Sequence, residues 1–138
     1  MANALYDSGR QKFLEGAIAF ATDTIKAVLV DTNGGTPYTF SQSHANLSDV
    51  AAGSRIGTPV ALAGKTTTGG VADASDTTFT SVAAGSTAEA LILYKDSGVE
   101  ATSTLIAYLD TATGLPVTTN GGDIIVQWDN GANKIFKL

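Results

Sequence analysis

Apolar positions along this 138-residue chain are gathered into short dense runs, separated by stretches of Gly, Ser, Thr, Asn and Asp. The clearest runs are Thr24 to Val30, Glu89 to Lys95, Thr104 to Asp110 and Asp123 to Trp128. Runs of this length bounded by turn residues read as β-strands. Glu89–Lys95 and Thr104–Asp110 are apolar on both faces, which places them centrally with each face covered. Asp96-Ser97-Gly98 turns between them, so they predict a hairpin. A second hairpin is predicted at the end of the chain, where Asp123–Trp128 runs into Asp129-Asn130-Gly131 and Lys134–Leu138 returns. Asn-Gly between such runs is a strong short-range hairpin signal. Strand alternation puts Ile124, Val126 and Trp128 on one face, with Phe136 and Leu138 facing them, Trp128 in the core and the last strand paired in a sheet.

A helical period occurs once. Phe13, Leu14, Ala17, Ile18 and Ala21 recur at helical spacing behind Ser8-Gly9-Arg10-Gln11, which has the form of a capping box. Gly16 interrupts this helix at a cost of about 1 kcal/mol relative to Ala, and marks a place for it to stop. The apolar stripe is expected to cover one end of the sheet core, with a partner-facing helix as the other reading. Weaker strands are predicted at Tyr38–Phe40, Pro59–Thr66 and Val71–Val82, the last with a bend near Asp73 and Asp76. Leu47–Ala52 reads as loop with one helical turn, and Ala63–Ser75 as a mobile loop. Seven or eight strands and one helix make a mainly β chain. The expected fold is a two-sheet antiparallel sandwich, jelly-roll-like, with one short N-terminal helix, in a single domain over residues 1–138.

Composition narrows the function. Thirteen acidic residues against eight basic ones leave a net charge of −5, and the bases (Arg10, Lys12, Lys26, Arg55, Lys65, Lys95, Lys134 and Lys137) are scattered along the chain. Nucleic-acid affinity rests largely on Lys and Arg against phosphates, so no nucleic-acid partner is expected. No apolar run approaches the roughly 20 residues of a membrane span, so no membrane partner is expected either. Met1 to Asp7 has no basic region followed by an apolar stretch and does not read as a signal peptide. There is no cysteine, which removes disulfides, zinc-thiolate sites and thiol nucleophiles together.

Candidate chemistry is sparse. His44 is the single histidine and sits in a loop, Ser41-Gln42-Ser43-His44-Ala45-Asn46, without a G-x-S-x-G nucleophile turn anywhere. Beyond the helix only Glu89 and Glu100 are available as glutamates for paired-carboxylate hydrolysis, and turn aspartates bond their own backbone. Asp31, Asn33, Asp73, Asp76, Asp129 and Asn130 offer hard oxygens that a calcium ion accepts, but their spacing matches no EF-hand. Gly64-Lys65-Thr66 lacks the first glycine of a phosphate loop, with Pro59 in its place. Asn46-Leu47-Ser48 has the form of a glycosylation acceptor, meaningless without secretion. No residue is assigned to catalysis, to a cofactor or to a metal, and the chain is not expected to be an enzyme.

The order of motifs carries a resemblance. Tyr6-Asp7-Ser8-Gly9-Arg10-Gln11-Lys12-Phe13-Leu14-Glu15-Gly16 leads into Asp23-Thr24-Ile25-Lys26-Ala27-Val28-Leu29-Val30-Asp31. Leu91-Ile92-Leu93-Tyr94-Lys95-Asp96-Ser97-Gly98, Leu105-Ile106-Ala107-Tyr108-Leu109-Asp110 and Asp123-Ile124-Ile125-Val126-Gln127-Trp128 follow. This arrangement resembles a family of small bacteriophage virion structural proteins, similar to capsid decoration (cement) proteins, over most of the chain except about Gly35 to Val82. The resemblance implies a structural virion protein that stabilises the assembled head. It also implies the major capsid protein as partner and a homo-oligomer, with a trimer favoured. A receptor- or glycan-binding module of a tail or head fibre, or a tail or neck subunit, stands as the alternative.

Overall fold

The structure, a computed structural model, describes residues 3–132 and 134–138. Eleven strands are seen among these residues, most of them very short. Five form one antiparallel sheet in the order β1-β8-β7-β2-β3: β1 (Ala4–Leu5), β2 (Ile25–Val30), β3 (Arg55–Ala61), β7 (Ala90–Lys95) and β8 (Leu105–Leu109). The other six pair as two-stranded ribbons. β5 (Thr77–Phe79) pairs with β10 (Ile124–Val126), β4 (Val71–Ala72) with β11 (Phe136–Lys137), and β6 (Thr87–Ala88) with β9 (Val117–Thr118). The fold is therefore mainly β and antiparallel, as the patterning predicts.

The dense apolar runs form the heart of the sheet. β7 lies between β2 and β8 and pairs with both. Its six residues are buried except for half-buried Lys95, and all five of β8 are buried. Ile25, Ala27, Leu29, Leu91 and Leu93 pack into one apolar layer with Phe79, Val126, Trp128 and Ile135 from the ribbons. Val28, Val30, Ile92 and Tyr94 pack into another with Tyr6, Tyr38, Leu47 and Val50. Both faces of the sheet are thus covered, which is why these strands do not alternate apolar with polar. β3 is an edge strand, where Pro59 costs no ladder bond, and Gly57 (φ +68°) sits where the pairing with β2 shifts register.

The helix α1 spans Asp7–Leu14 and is shorter than its apolar stripe. Gly16 (φ +74°) ends it, and Ile18 and Phe20 enter the core from the irregular segment beyond. Leu14 is 90% exposed, so the stripe covers the core only through Phe13 and these later residues. Ser8 does not cap the helix: Tyr6 holds the N-cap position, with no side-chain bond. The Ser8 hydroxyl instead lies 3.1 Å from the Ala45 carbonyl and 3.2 Å from that of Leu105, tying the helix to β8. Gly9 makes this approach possible, because a Cβ there would lie 2.8 Å from the Ile106 Cα.

The C-terminal hairpin is not formed. β10 pairs with β5, while β11 pairs with β4. The bend expected near Asp73 and Asp76 is where one segment changes partner. Trp128 is held there, its indole N–H donating to the Ser75 carbonyl at 3.0 Å and its backbone N–H to the Asp76 carboxylate at 3.3 Å. Trp128 is 6% exposed, in the core as expected, and Ile124 and Val126 share its face. Tyr38–Phe40 is not a strand either, since this stretch covers the sheet with its side chains rather than joining it. Leu47–Asp49 and Ala52–Ser54 are single 3-10 turns, in line with the helical turn predicted there. The Ala63–Ser75 segment is an arch closed by backbone bonds between Thr66 and Asp73 (2.9 and 3.1 Å) and from Ser75 to Ala63 (2.8 Å).

Candidate interaction surface

Two clefts stand out. The first lies over the aromatic layer, a shallow space of about 560 Å³ bordered by Tyr38, Phe40, Tyr108, Thr32, Glu89 and Pro116. The turn after β2 builds it. The Tyr38 N–H donates to the Asp31 carbonyl at 2.8 Å, which folds the following loop back across the sheet. The Phe40 and Tyr108 ring centroids are 5.1 Å apart, and Phe40 and Tyr6 5.2 Å apart. Beneath them the Tyr6 and Tyr38 hydroxyls share a hydrogen bond of 2.7 Å, and Tyr38 continues the chain to His44 Nδ1 at 2.9 Å. Burial pushes the Tyr6 phenol well above its ordinary range, with the Tyr38 hydroxyl adding to the effect. The Tyr108 phenol is pushed up to about 12 by burial and the nearby Asp110 carboxylate. The Thr32 hydroxyl donates to Glu89. Tyr6, Tyr38 and Tyr108 are buried, so of these rings only the half-buried Phe40 offers surface to the cleft, which Glu89 and Asp110 edge.

The second cleft lies where the main sheet and the β4–β11 ribbon part company. A space of about 420 Å³ is lined by Ala4 and Leu5 of β1, Ala107 and Leu109 of β8, and Ile135 to Lys137. A second space of about 290 Å³ shares Asn3, Leu109, Asp129, Lys134 and Ile135 with it, so the two make one continuous slot. Asn3 closes one end, its side-chain Oδ1 accepting from the Asp110 N–H at 2.9 Å and the Thr111 N–H at 3.3 Å. Arg10, Lys134 and Lys137 stand along its rim.

The residues singled out in the sequence are held in structural roles. His44 has the Tyr38 hydroxyl as its ring partner, and Ser8 reaches the loop through backbone carbonyls rather than the imidazole. Asp31 and Asp129 each accept from a backbone N–H two residues on, at 2.8 and 3.1 Å, and Asp76 from Trp128. Among the described residues no three carboxylate or imidazole groups converge as a metal site. Glu100 pairs with Arg55 at 2.6 Å, and Lys65 donates to the Asp23 carbonyl. The slot was missed in the sequence because Arg10 and the β1 residues that line it lie more than a hundred positions from Lys134 and Lys137. Nothing local signals that they meet. No family model matches this chain, and no curated protein matches it either.

Proposed function

We propose that this chain is a non-enzymatic structural protein of a bacteriophage virion, a capsid decoration (cement) protein that binds the major capsid protein of the assembled head. The observation that carries this reading is how the resembling motifs spend their charges. Asp23 pairs with Lys95 at 3.1 Å, and Lys26 with Asp96 at 2.8 Å, so the two motifs on β2 and β7 neutralise one another across the sheet. Asp23 is lowered by the Ala19 backbone N–H and then by Lys95; Asp96 is lowered chiefly by the Lys26 hydrogen bond. Motif residues used this way hold a scaffold, and a scaffold with repeated weak contacts is what a bridging subunit needs. Such a subunit stabilises the shell by mass action, because it binds the assembled form.

The same reading makes the protein a homo-oligomer, with a trimer favoured. It also treats the three ribbons as a broken second layer of a jelly-roll-like sandwich. The net charge of −5 favours partners other than nucleic acid. The alternative is a receptor- or glycan-binding module of a tail or head fibre, for which the shallow cleft beside Phe40, Thr32 and Glu89 is the candidate site. Copy number in purified particles separates these. Quantitative mass spectrometry giving hundreds of copies is expected for decoration, whereas on the order of ten copies, a single ring, supports a tail or neck station. Light scattering of the purified chain is expected to give three times the protomer mass; a monomer at high concentration removes the intrinsic oligomer.

A further inference from the structure

The slot between β1 and β11 carries an inference that does not depend on the virion reading. Its charges are unlike those elsewhere. Lys12 pairs with Glu15, Lys26 with Asp96, Lys95 with Asp23 and Arg55 with Glu100, while Lys65 donates to a carbonyl. Arg10 reaches Asp7 only at 3.7 Å. Among the described residues, Lys134 and Lys137 are the bases whose side chains meet neither carboxylate nor carbonyl, and both stand at the slot. The one carboxylate lining it, Asp129, is turned to the Gly131 N–H at 3.1 Å. In a protein of net charge −5, this is a local excess of positive charge.

The backbone adds a second feature. Tyr6 donates to the Ile106 carbonyl at 3.0 Å and Ala4 pairs with Tyr108, so antiparallel alternation turns the N–H and C=O of Leu5 to the outer edge of β1. Leu138 donates to Gly70 at 3.1 Å, which turns the N–H and C=O of Lys137 outward in the same way. Two short strand edges therefore border one cleft whose floor is apolar, from Ala107, Leu109 and Ile135. Lys134 stands beside them at φ +46°, a backbone conformation a lysine adopts at a cost.

We propose that the slot receives an extended, acidic segment of a partner protein, which adds a strand at these edges and sets its carboxylates against Lys134 and Lys137. Edge pairing supplies affinity through the main chain, and the side chains supply the preference. Phosphate chains would answer the charges but leave the strand edges unused, which is why a polypeptide is the better occupant.

The test uses the full chain, isotopically labelled, titrated with blocked five-residue peptides that alternate Val with Glu or Val with Lys, and with a short single-stranded DNA. The Val/Glu peptide is expected to shift the amides of Leu5, Leu109, Phe136 and Lys137. Its binding should weaken by about fivefold in the Lys134→Gln/Lys137→Gln double variant, and fall with added salt. The thermal midpoint of that variant should be unchanged, because neither ammonium has an internal partner. Equal binding of the Val/Lys peptide, absence of shifts at these amides, or indifference to the double substitution would overturn the proposal. DNA displacing the acidic peptide would overturn it in favour of a polyanion site. Self-association of the double variant would overturn it in favour of lysines that merely guard bare strand edges.

Discussion

The two faces of the central sheet are closed by different physics. On one face, short strands supply the cover, and Phe79, Val126, Trp128 and Ile135 reach the sheet from ribbons whose backbones bond to one another. On the other, the cover is the irregular 31–54 stretch, which joins the sheet by a single bridge, Asn46 to Thr104, and satisfies the rest of its backbone piecemeal. Arg55 donates to the Val50 carbonyl at 2.6 and 2.9 Å and to that of Leu47 at 2.9 Å. Asp49 accepts from Ala45 at 2.7 Å and Asn46 at 3.0 Å, and Ser54 donates to Thr36 at 2.7 Å. Both faces bury apolar volume, but the loop face needs in addition a few polar side chains to hold its cover in place, and hydroxyls linked beneath aromatic rings.

Removing volume from the ribbon face is the largest break. Trp128→Ala is expected to cost about 3–5 kcal/mol, a large part of the roughly 5–15 kcal/mol of a domain, read from denaturant unfolding. Native tryptophan emission should be blue-shifted in the parent, and a red-shifted spectrum with an unchanged melting point in the variant would show that the ribbon layer does not bear on stability.

On the loop face, the break is polar. Arg55→Ala leaves the Val50 carbonyl without its donor, takes one of two donors from the Leu47 carbonyl and frees Glu100, and is expected to cost about 1–3 kcal/mol. Arg55→Lys should recover only part of it, since one ammonium cannot reproduce the guanidinium fork. Hydrogen exchange sharpens the contrast: faster exchange confined to residues 45–55 is expected, with β7 and β8 protected as before. Uniform loss across the sheet would mean that the two faces are not separable.

The smallest effects are set by pH. Asp49 is held below its ordinary range by the Asn46 and Ala45 backbone N–H groups, so its contribution is present above the unfolded carboxylate value near 3.9 and is lost as pH falls through the lower folded value. Asp49→Asn should flatten that acid limb of the melting curve. The phenols run the other way. Burial, with Asp96 nearby, pushes Tyr94 up to about 12, and Tyr108 is raised similarly. Their contribution is complete below about pH 10 and is lost as pH rises towards 12. Tyrosinate absorbance rising near pH 10 with no loss of stability would contradict this.

Legibility follows the same division. Ile25–Val30, Ala90–Lys95 and Leu105–Leu109 were legible as strands because each is a continuous apolar run, and the turn at Asp96-Ser97-Gly98 joins neighbours in the sheet. Gly16 was legible as the place where the helix stops. The capping box at Ser8 misled, since the hydroxyl found carbonyls on another element at 3.1 and 3.2 Å instead of its own helix. The slot was not legible at all, with Arg10 at one end of the chain and Lys134 and Lys137 at the other.

By itself the sequence determined that Ala90–Lys95 and Leu105–Leu109 would be covered on both faces, that the architecture would be antiparallel β, and that Ile124, Val126 and Trp128 would share an inward face. These follow from local periodicity and apolar density, which need no knowledge of the partner. The sequence misplaced Leu14 and Leu138, which are exposed. Only the tertiary structure decided who pairs with whom in the short ribbons. Strands of two or three residues carry little pairing preference of their own, and the Asp129-Asn130-Gly131 turn offers a local bias of modest size. Burying Trp128 against the bend at Ser75 and Asp76 is worth more than closing the nearest turn, so β10 goes to β5 and β11 is left for β4.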